Sequence, residues 1–424
     1  MRPDLMARAI GAGLAFGVAV IANAQVIAIT GGTVYPVSGP KIENATVIIR
    51  DGKIAAVGAL VAIPDGATRL DATGKWVTPG FINAATTLGI SGISGVAETR
   101  DNVLRSPNNV SAHFQPWEGL DAASELMAPA RNDGITSAVI YPGGGMISGQ
   151  AAMIDLTGIN ADAMIRKAPA AMALSIGHTF GSRAEVLERL REVLDDAKMY
   201  ATRRVQYEAN GTRAYSASKA DLEALQPVLA GKLPVVINAN RRDDIESALK
   251  LAKAYKLKLI IAGAAEAWMM ASELAAAKVP VLTGGILNIP LSFSSLGQRQ
   301  DNAALLRKAG VSVLLISDSY GDGFSFNVRN IRYEAGNAVS NGMSWDDALK
   351  AVTWAPADAF GVSDKVGALA VGLDANVVVW SGDPFEFLTQ AEAVFIKGKR
   401  VDAPGRQEEL MKRYRRLPAE YRAP

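Results

Sequence analysis

The sequence predicts an α/β protein, a (β/α)8 TIM-like barrel with a small composite β-sandwich beside it, on three observations. Between residues 79 and 364, short apolar runs alternate with helical stretches, the pattern of parallel strands joined by covering helices. Outside that span, residues 25–78 and 365–402 read as short alternating runs cut by glycine turns, the mark of β structure at both ends of the chain. The length, 424 residues with 49% hydrophobic content, suits one large domain plus a smaller one.

Residues 1–24 read as a signal peptide. Arg2 and Arg8 flank the start, Ala9 to Ala22 is an apolar run, and Ala22-Asn23-Ala24 is a small-x-small cleavage site before Gln25. The run is shorter than the roughly 20 residues a spanning helix needs. Secretion, into a periplasm, is the expectation, with no membrane span left once the signal is removed. Net charge is only +2, so no field for nucleic acid is implied. The absence of cysteine excludes disulfides, thiolate metal sites and cysteine nucleophiles together.

The N-terminal β unit runs through Val26-Ile27-Ala28-Ile29, Thr46-Val47-Ile48-Ile49 and Ile54-Ala55-Ala56-Val57, with Asp51-Gly52 as a hairpin signal between two apolar runs. Barrel strands are predicted at 80–85, 135–141, 150–156, 170–176, 233–238, 257–262, 279–284 and 311–316. Ser182-Arg183-Ala184-Glu185 has the form of a capping box, leading Val186, Leu190, Val193 and Leu194 along one helix face. Ser344 opens another helix. Residues 86–130 form a weakly periodic excursion over the carboxyl end of the first barrel strand, where barrel enzymes build their sites. Ala375 to Trp380 and Val394 to Val401 supply strands to match the N-terminal unit, and residues 403–424 are a charged tail, read as a solvated helix.

One stretch carries the functional question. Val77-Thr78-Pro79-Gly80-Phe81-Ile82-Asn83-Ala84-Ala85-Thr86-Thr87-Leu88-Gly89 resembles the P-G-[FL]-I-D-x-H-x-H-x-G segment of metal-dependent amidohydrolases, the superfamily of imidazolonepropionases, dihydroorotases and prolidases. The resemblance extends from about residue 26 to 402 and implies the barrel-plus-sandwich fold. Ala85 and Thr87 stand at its two histidine positions and Asn83 at its aspartate. On a strand, residues i and i+2 share a face, which is how H-x-H delivers two imidazoles to one metal.

The later positions are replaced as well. Pro234 to Asn240 is similar to the family's P-V-x-V-H-A, with Asn238 at the histidine. Leu259 to Ala267 offers only alanine and glycine in the next ligand region, with Glu266 further on read as serving a helix dipole. Leu315-Ile316-Ser317-Asp318-Ser319 keeps the aspartate: the resemblance implies that Asp318 contacts a metal and handles the proton of the attacking water. Ala173 to His178 aligns where a bridging acid is common, so His178 stands at a possible ligand position with an exchanged residue. The chain has two histidines, His113 and His178, too few for the family's usual site. His113 sits in the Ser111 to Trp117 loop and reads as a surface residue.

Other chemistries find less support. Gly143-Gly144-Gly145 has no following G-K-[ST] and reads as a turn across the barrel mouth, similar to the P-G-x-G-x-I-S-G-Q turn of secreted amidohydrolases. No G-x-S-x-G elbow is present, although Ser317 and Ser319 could join a polar pocket. Three readings follow. In the first, the protein is a catalytically inactive homologue, a pseudoenzyme with no cofactor, serving as the partner subunit of an active amidohydrolase paralogue or as a small-molecule binder. In the second, it is an active hydrolase of C–N bonds with one weakly held divalent metal, zinc, on His178 and Asp318, a pair short of the three or so protein ligands of catalytic zinc. In the third, it is a purely structural subunit, with a homo-oligomer among the possible assemblies.

Overall fold

The computed structural model describes residues 26–401 and 406–415, apart from residues 94, 159, 285–289, 291 and 318–324. The signal segment 1–24, Asp318 and Ser319 therefore lie outside the described residues.

The chain opens with β1 (Ile27–Val34), β2 (Ile42–Arg50), β3 (Lys53–Gly58), β4 (Thr68–Asp71) and β5 (Trp76–Pro79). The β2–β3 hairpin turns on Asp51 and Gly52 with φ of 52° and 77°, the doubly positive pair that matches the twist of the flanking strands. Eight further strands follow: β6 (Phe81–Thr86), β7 (Ile135–Ile140), β8 (Ile147–Asp155), β9 (Ile165–Ser175), β10 (Val235–Ala239), β11 (Leu259–Gly263), β12 (Val281–Thr283) and β13 (Val313–Leu315). The last three are β14 (Val377–Trp380), β15 (Ala391–Ile396) and β16 (Lys399–Arg400).

β1 to β5 and β14 to β16 make one sheet. The two ends of the chain meet where β5 pairs antiparallel with β14, Trp76 opposite Trp380 and Val77 opposite Val379. β6 to β13 make a second, nearly closed sheet in sequence order, the barrel. Alternation sorts its side chains. Ile82, Val139, Met153, Val236, Ile260 and Leu314 meet inside, whereas Phe81, Ile135, Ile237, Ile261 and Val313 pack outward in the larger cluster that includes the helices. Phe360, Val362 and Val366, beyond the helix Trp354–Ala359, also join the interior cluster.

One expectation fails here. The barrel is not wholly parallel: β8 runs antiparallel to both β7 and β9. Strand-length apolar runs look alike in either direction, and the links decide. β7 and β8 are joined by the glycine turn at residues 141–146, and β8 and β9 by residues 156–164 with one helical turn, Ala161–Met164. A parallel crossover takes about a dozen residues or more. Links this short return the chain beside the strand it has left.

The gap between β13 and β6 is bridged by a side chain. Asn83, fully buried, donates from Nδ2 to Ser317 Oγ at 2.8 Å and to the Val328 carbonyl at 3.2 Å. The 86–130 excursion is pinned to the β7–β8 turn and the start of β8 by Gly143 N to Asn102 O at 2.8 Å, Ser111 N to Ile147 O at 2.9 Å and Gln150 Nε2 to Ala112 O at 3.1 Å.

The barrel and the other sheet are joined by buried charge. Asp155, with no exposed surface, pairs with Arg166 Nη2 at 2.8 Å and Lys397 Nζ at 2.9 Å, while Arg166 Nη1 reaches Asp374 at 2.9 Å and Asp374 reaches Lys53 at 3.2 Å. Arg332, also buried, donates to the carbonyls of Pro384, Glu386 and Thr389 at 2.8, 2.8 and 2.6 Å. Among the described residues no helix is long and apolar enough to cross a membrane.

Candidate functional site

Parallel strands place their carboxyl ends at one mouth, where barrel proteins build their sites. At the end of β6 the register against β7 slips between Asn83 and Thr86, and the consecutive Ala84 and Ala85 both pack with the interior cluster. The Ala85 N–H donates to Asn83 Oδ1 at 3.2 Å, which holds this irregularity. Such bulges re-aim side chains next to sites. The backbone thus presents position 85 to the barrel interior, but the side chain there is a methyl. Thr87 lies just beyond the strand and is buried. Asn83 stands where the resemblance expects a carboxylate, and its two donated bonds are ones that an ionised carboxylate cannot make.

On β10, Val236 faces inward, so Asn238 two residues on shares its face. Its Oδ1 is buried and has no hydrogen-bond partner. The neighbouring β11 ends on Gly263 with φ of 78°; a Cβ there would stand 2.7 Å from Asn238 Oδ1 and 2.5 Å from Asn240 Oδ1. The region in which the resemblance expects a second histidine is therefore filled by two amides and has no room for a larger side chain without displacing them.

Glu266 does serve a helix, but not the one it introduces. Its Oε2 accepts the Arg242 N–H at 2.8 Å, in the first turn of the preceding helix Arg242–Tyr255. His113 is exposed as expected, with Nδ1 2.7 Å from Oδ1 of the buried Asp221, tying the excursion to the helix Lys219–Ala224. His178 begins a short turn after β9, and its side chain, like Asp318, lies outside the described residues.

Two features at this end escaped the sequence reading. Arg183 does more than stand in the first turn of its helix: Nε donates to Asp244 at 2.8 Å and Nη2 to Ser294 Oγ at 3.0 Å, linking the segments after β9, β10 and β12. Burial pushes the Asp244 carboxyl up despite Arg183 beside it. Asn302, in the first turn of the helix Asn302–Lys308, donates from Nδ2 to the Ala264 carbonyl at 3.0 Å and has an Oδ1 that is buried without a partner. No local pattern marks such pairings. The amide-rich character of the mouth was visible only at Asn83 and Asn238.

Among the described residues no three or more His, Cys, Asp or Glu side chains are placed to hold a metal ion. Amide oxygens and a threonine hydroxyl are poor replacements for imidazole on zinc. The described residues of the mouth do not fit the metal that the resemblance implies.

Comparison with known proteins decides the family: residues 76–401 match the amidohydrolase family. The chain belongs to it. It is 25% identical over 377 residues to an imidazolonepropionase from Acidiphilium cryptum (strain JF-5), covering 81% of this chain and 89% of that protein. The amidohydrolase tasK of Hapsidospora irregularis is 21% identical over 395 residues, a match that takes in 84% of this chain but spans only 39% of that longer protein. Among solved structures, an amidohydrolase from Thermotoga maritima MSB8 matches with a TM-score of 0.81 at 26% identity, covering 89% of this chain and 100% of that one. A molinate hydrolase shares the fold, with a TM-score of 0.57 at 19% identity.

Proposed function

We propose that this amidohydrolase-family chain binds a small ligand at its barrel mouth and does not carry out metal-dependent hydrolysis. The observation that carries this reading is Asn238: at a position where the resemblance expects a histidine, it offers a buried carbonyl oxygen with no partner, beside a glycine hemmed in by two amides. An amide oxygen neither holds zinc as imidazole does nor lowers the pKa of a bound water. Without that water, hydrolysis of an amide at neutral pH loses its nucleophile and its Lewis acid together.

Residues 1–24 make this a periplasmic binder in the proposal, and an active amidohydrolase paralogue is the natural candidate for a partner subunit. A panel of N-acyl amino acids and dipeptides, followed for turnover and for a thermal shift, tests the reading. Stabilisation without turnover is expected. Turnover that chelation abolishes and zinc restores, and that Asp318→Ala removes, replaces it with the mononuclear site on His178 and Asp318.

A further inference from the structure

We infer that the protein attaches peripherally to an anionic lipid surface through its C-terminal helix, Arg406–Tyr414, and the neighbouring turn that carries Phe387 and Leu388. The inference goes beyond ligand binding at the mouth and does not depend on it. The helix turns charge toward the protein. Arg406 Nη1 pairs with Glu125 at 2.6 Å, and Lys412 lines an open cavity of about 550 Å³ together with Asn132, Asp133 and Glu392. At about 100° per residue, Leu410, Met411 and Tyr414 share an arc of roughly 100°, and Lys412 stands roughly 150° from its middle. The apolar arc therefore points away from the body: Met411 is 70% and Tyr414 60% exposed. A helix that packs on a core does the reverse.

A second apolar element lies beside it. Phe387 lines the same cavity; it is 76% exposed and its neighbour Leu388 93%. Their turn is held from beneath. The buried Arg332 donates to the carbonyls of Pro384, Glu386 and Thr389, and the Phe387 ring stacks on Tyr333 with centroids 4.4 Å apart. Large apolar side chains fixed in this way, close to an outward apolar helix face, mark a surface that something covers.

Charge selects what covers it. Lys412-Arg413-Tyr414-Arg415-Arg416 puts four cations into five residues with no acid among them. Arg413 and Arg415 are exposed. A second copy of the chain in a two-fold contact would set this cluster against itself, like charge facing like. A nucleic acid would take up the cations and leave the apolar arc in water. An anionic bilayer meets both demands, its phosphates the cations and its headgroup layer the side chains of Leu388, Met411 and Tyr414.

The full mature chain is floated with vesicles of phosphatidylglycerol and phosphatidylcholine in equal parts, and with vesicles of phosphatidylcholine alone, in about 0.1 M salt. Binding at least about tenfold tighter to the anionic vesicles is expected, weakening as salt rises. Arg413→Glu combined with Arg415→Glu should remove that preference. Leu388→Ser combined with Met411→Ser should weaken binding to the anionic vesicles at least about fivefold. All four side chains are exposed, so the melting temperature of each variant should match the wild type.

Equal binding to both kinds of vesicle, binding to neither, or a charge-reversed protein that keeps the preference overturns the inference. Serine substitutions without effect overturn it in favour of a plain polyanion site, and a concentration-dependent dimer that they abolish overturns it in favour of a second copy. Wild-type discrimination between the lipids is a readout in its own right, so a variant that fails to fold leaves the test standing.

Discussion

Two polar regions of this barrel have opposite characters. Where the barrel meets the second sheet, buried charges are matched: Asp155 faces Arg166 and Lys397, and Asp374 faces Arg166 and Lys53. At the mouth the described groups around the positions 83, 85, 87 and 238 are amides, hydroxyls and methyls, with the Arg183–Asp244 pair beyond them, and the amide oxygens of Asn238 and Asn302 accept no hydrogen bond. A network that holds a fold together needs each buried charge paired, since a charge stripped of its partner is strongly destabilising; Asp155 Oδ2 meets Arg166 Nη2 and Lys397 Nζ as ion pairs, without a hydrogen bond of its own. A binding surface tolerates unsatisfied groups, because a ligand completes them. The contrast fits the proposal that the interface between the sheets carries stability and the mouth carries recognition.

The sharpest way to break that division is Asp155→Ala. It leaves Arg166 and Lys397 without their shared buried carboxylate and should lower stability by about 3–5 kcal/mol in urea unfolding. A loss under about 1 kcal/mol would show that the interface charges are not what joins the two sheets.

Asn83→Asp comes next, because Asn83 both closes the barrel and stands at the mouth. It replaces two donated bonds with an ionised carboxylate facing the Val328 carbonyl, and should cost about 2–3 kcal/mol. A stable variant that gained tight zinc binding would instead show that this one position keeps a metal out of the mouth. Asp221→Asn weakens the His113 contact that ties the excursion to its neighbouring helix and should cost about 1 kcal/mol. Faster hydrogen exchange confined to residues 108–114 is the accompanying readout.

The smallest effect is one of pH. Burial works to raise the Asp374 carboxyl, but the hydrogen bond and charge of Arg166, with Lys53, outweigh it and hold the group below its ordinary value. A carboxyl depressed on folding adds stability above its unfolded value and loses it as pH falls through the folded one. Asp374→Asn should therefore flatten the decline of the melting temperature between about pH 5 and pH 2. An unchanged slope would remove Asp374 from the network's acid response.

Much of the frame was legible because it rests on local chemistry. Asp51-Gly52 announced its hairpin, and the resemblance of Pro234 to Asn240 picked out Asn238, which the structure puts on the face it shares with the inward Val236. The direction of β8 was not legible, because the burial pattern of a strand covered on both faces carries no sense of direction; only the short links at 141–146 and 156–164 encode it. The networks were hidden for a different reason. Arg183, Asp244 and Ser294 meet from three chain segments, as do Asp155, Arg166 and Lys397, and no spacing rule joins residues brought together by the closure of a barrel. At the mouth, the replaced positions 85, 87 and 238 were visible singly, but the crowding of Asn238 and Asn240 against Gly263 exists only in three dimensions.

Metal analysis of the protein tests the central claim most directly. The mature chain, purified without chelators or a histidine tag and loaded with excess zinc, manganese or iron, is desalted and measured by inductively coupled plasma mass spectrometry. Well under one metal per chain is the predicted result, unchanged in Asp318→Ala. One tightly held equivalent that vanishes in Asp318→Ala would contradict it and return this mouth to hydrolytic chemistry.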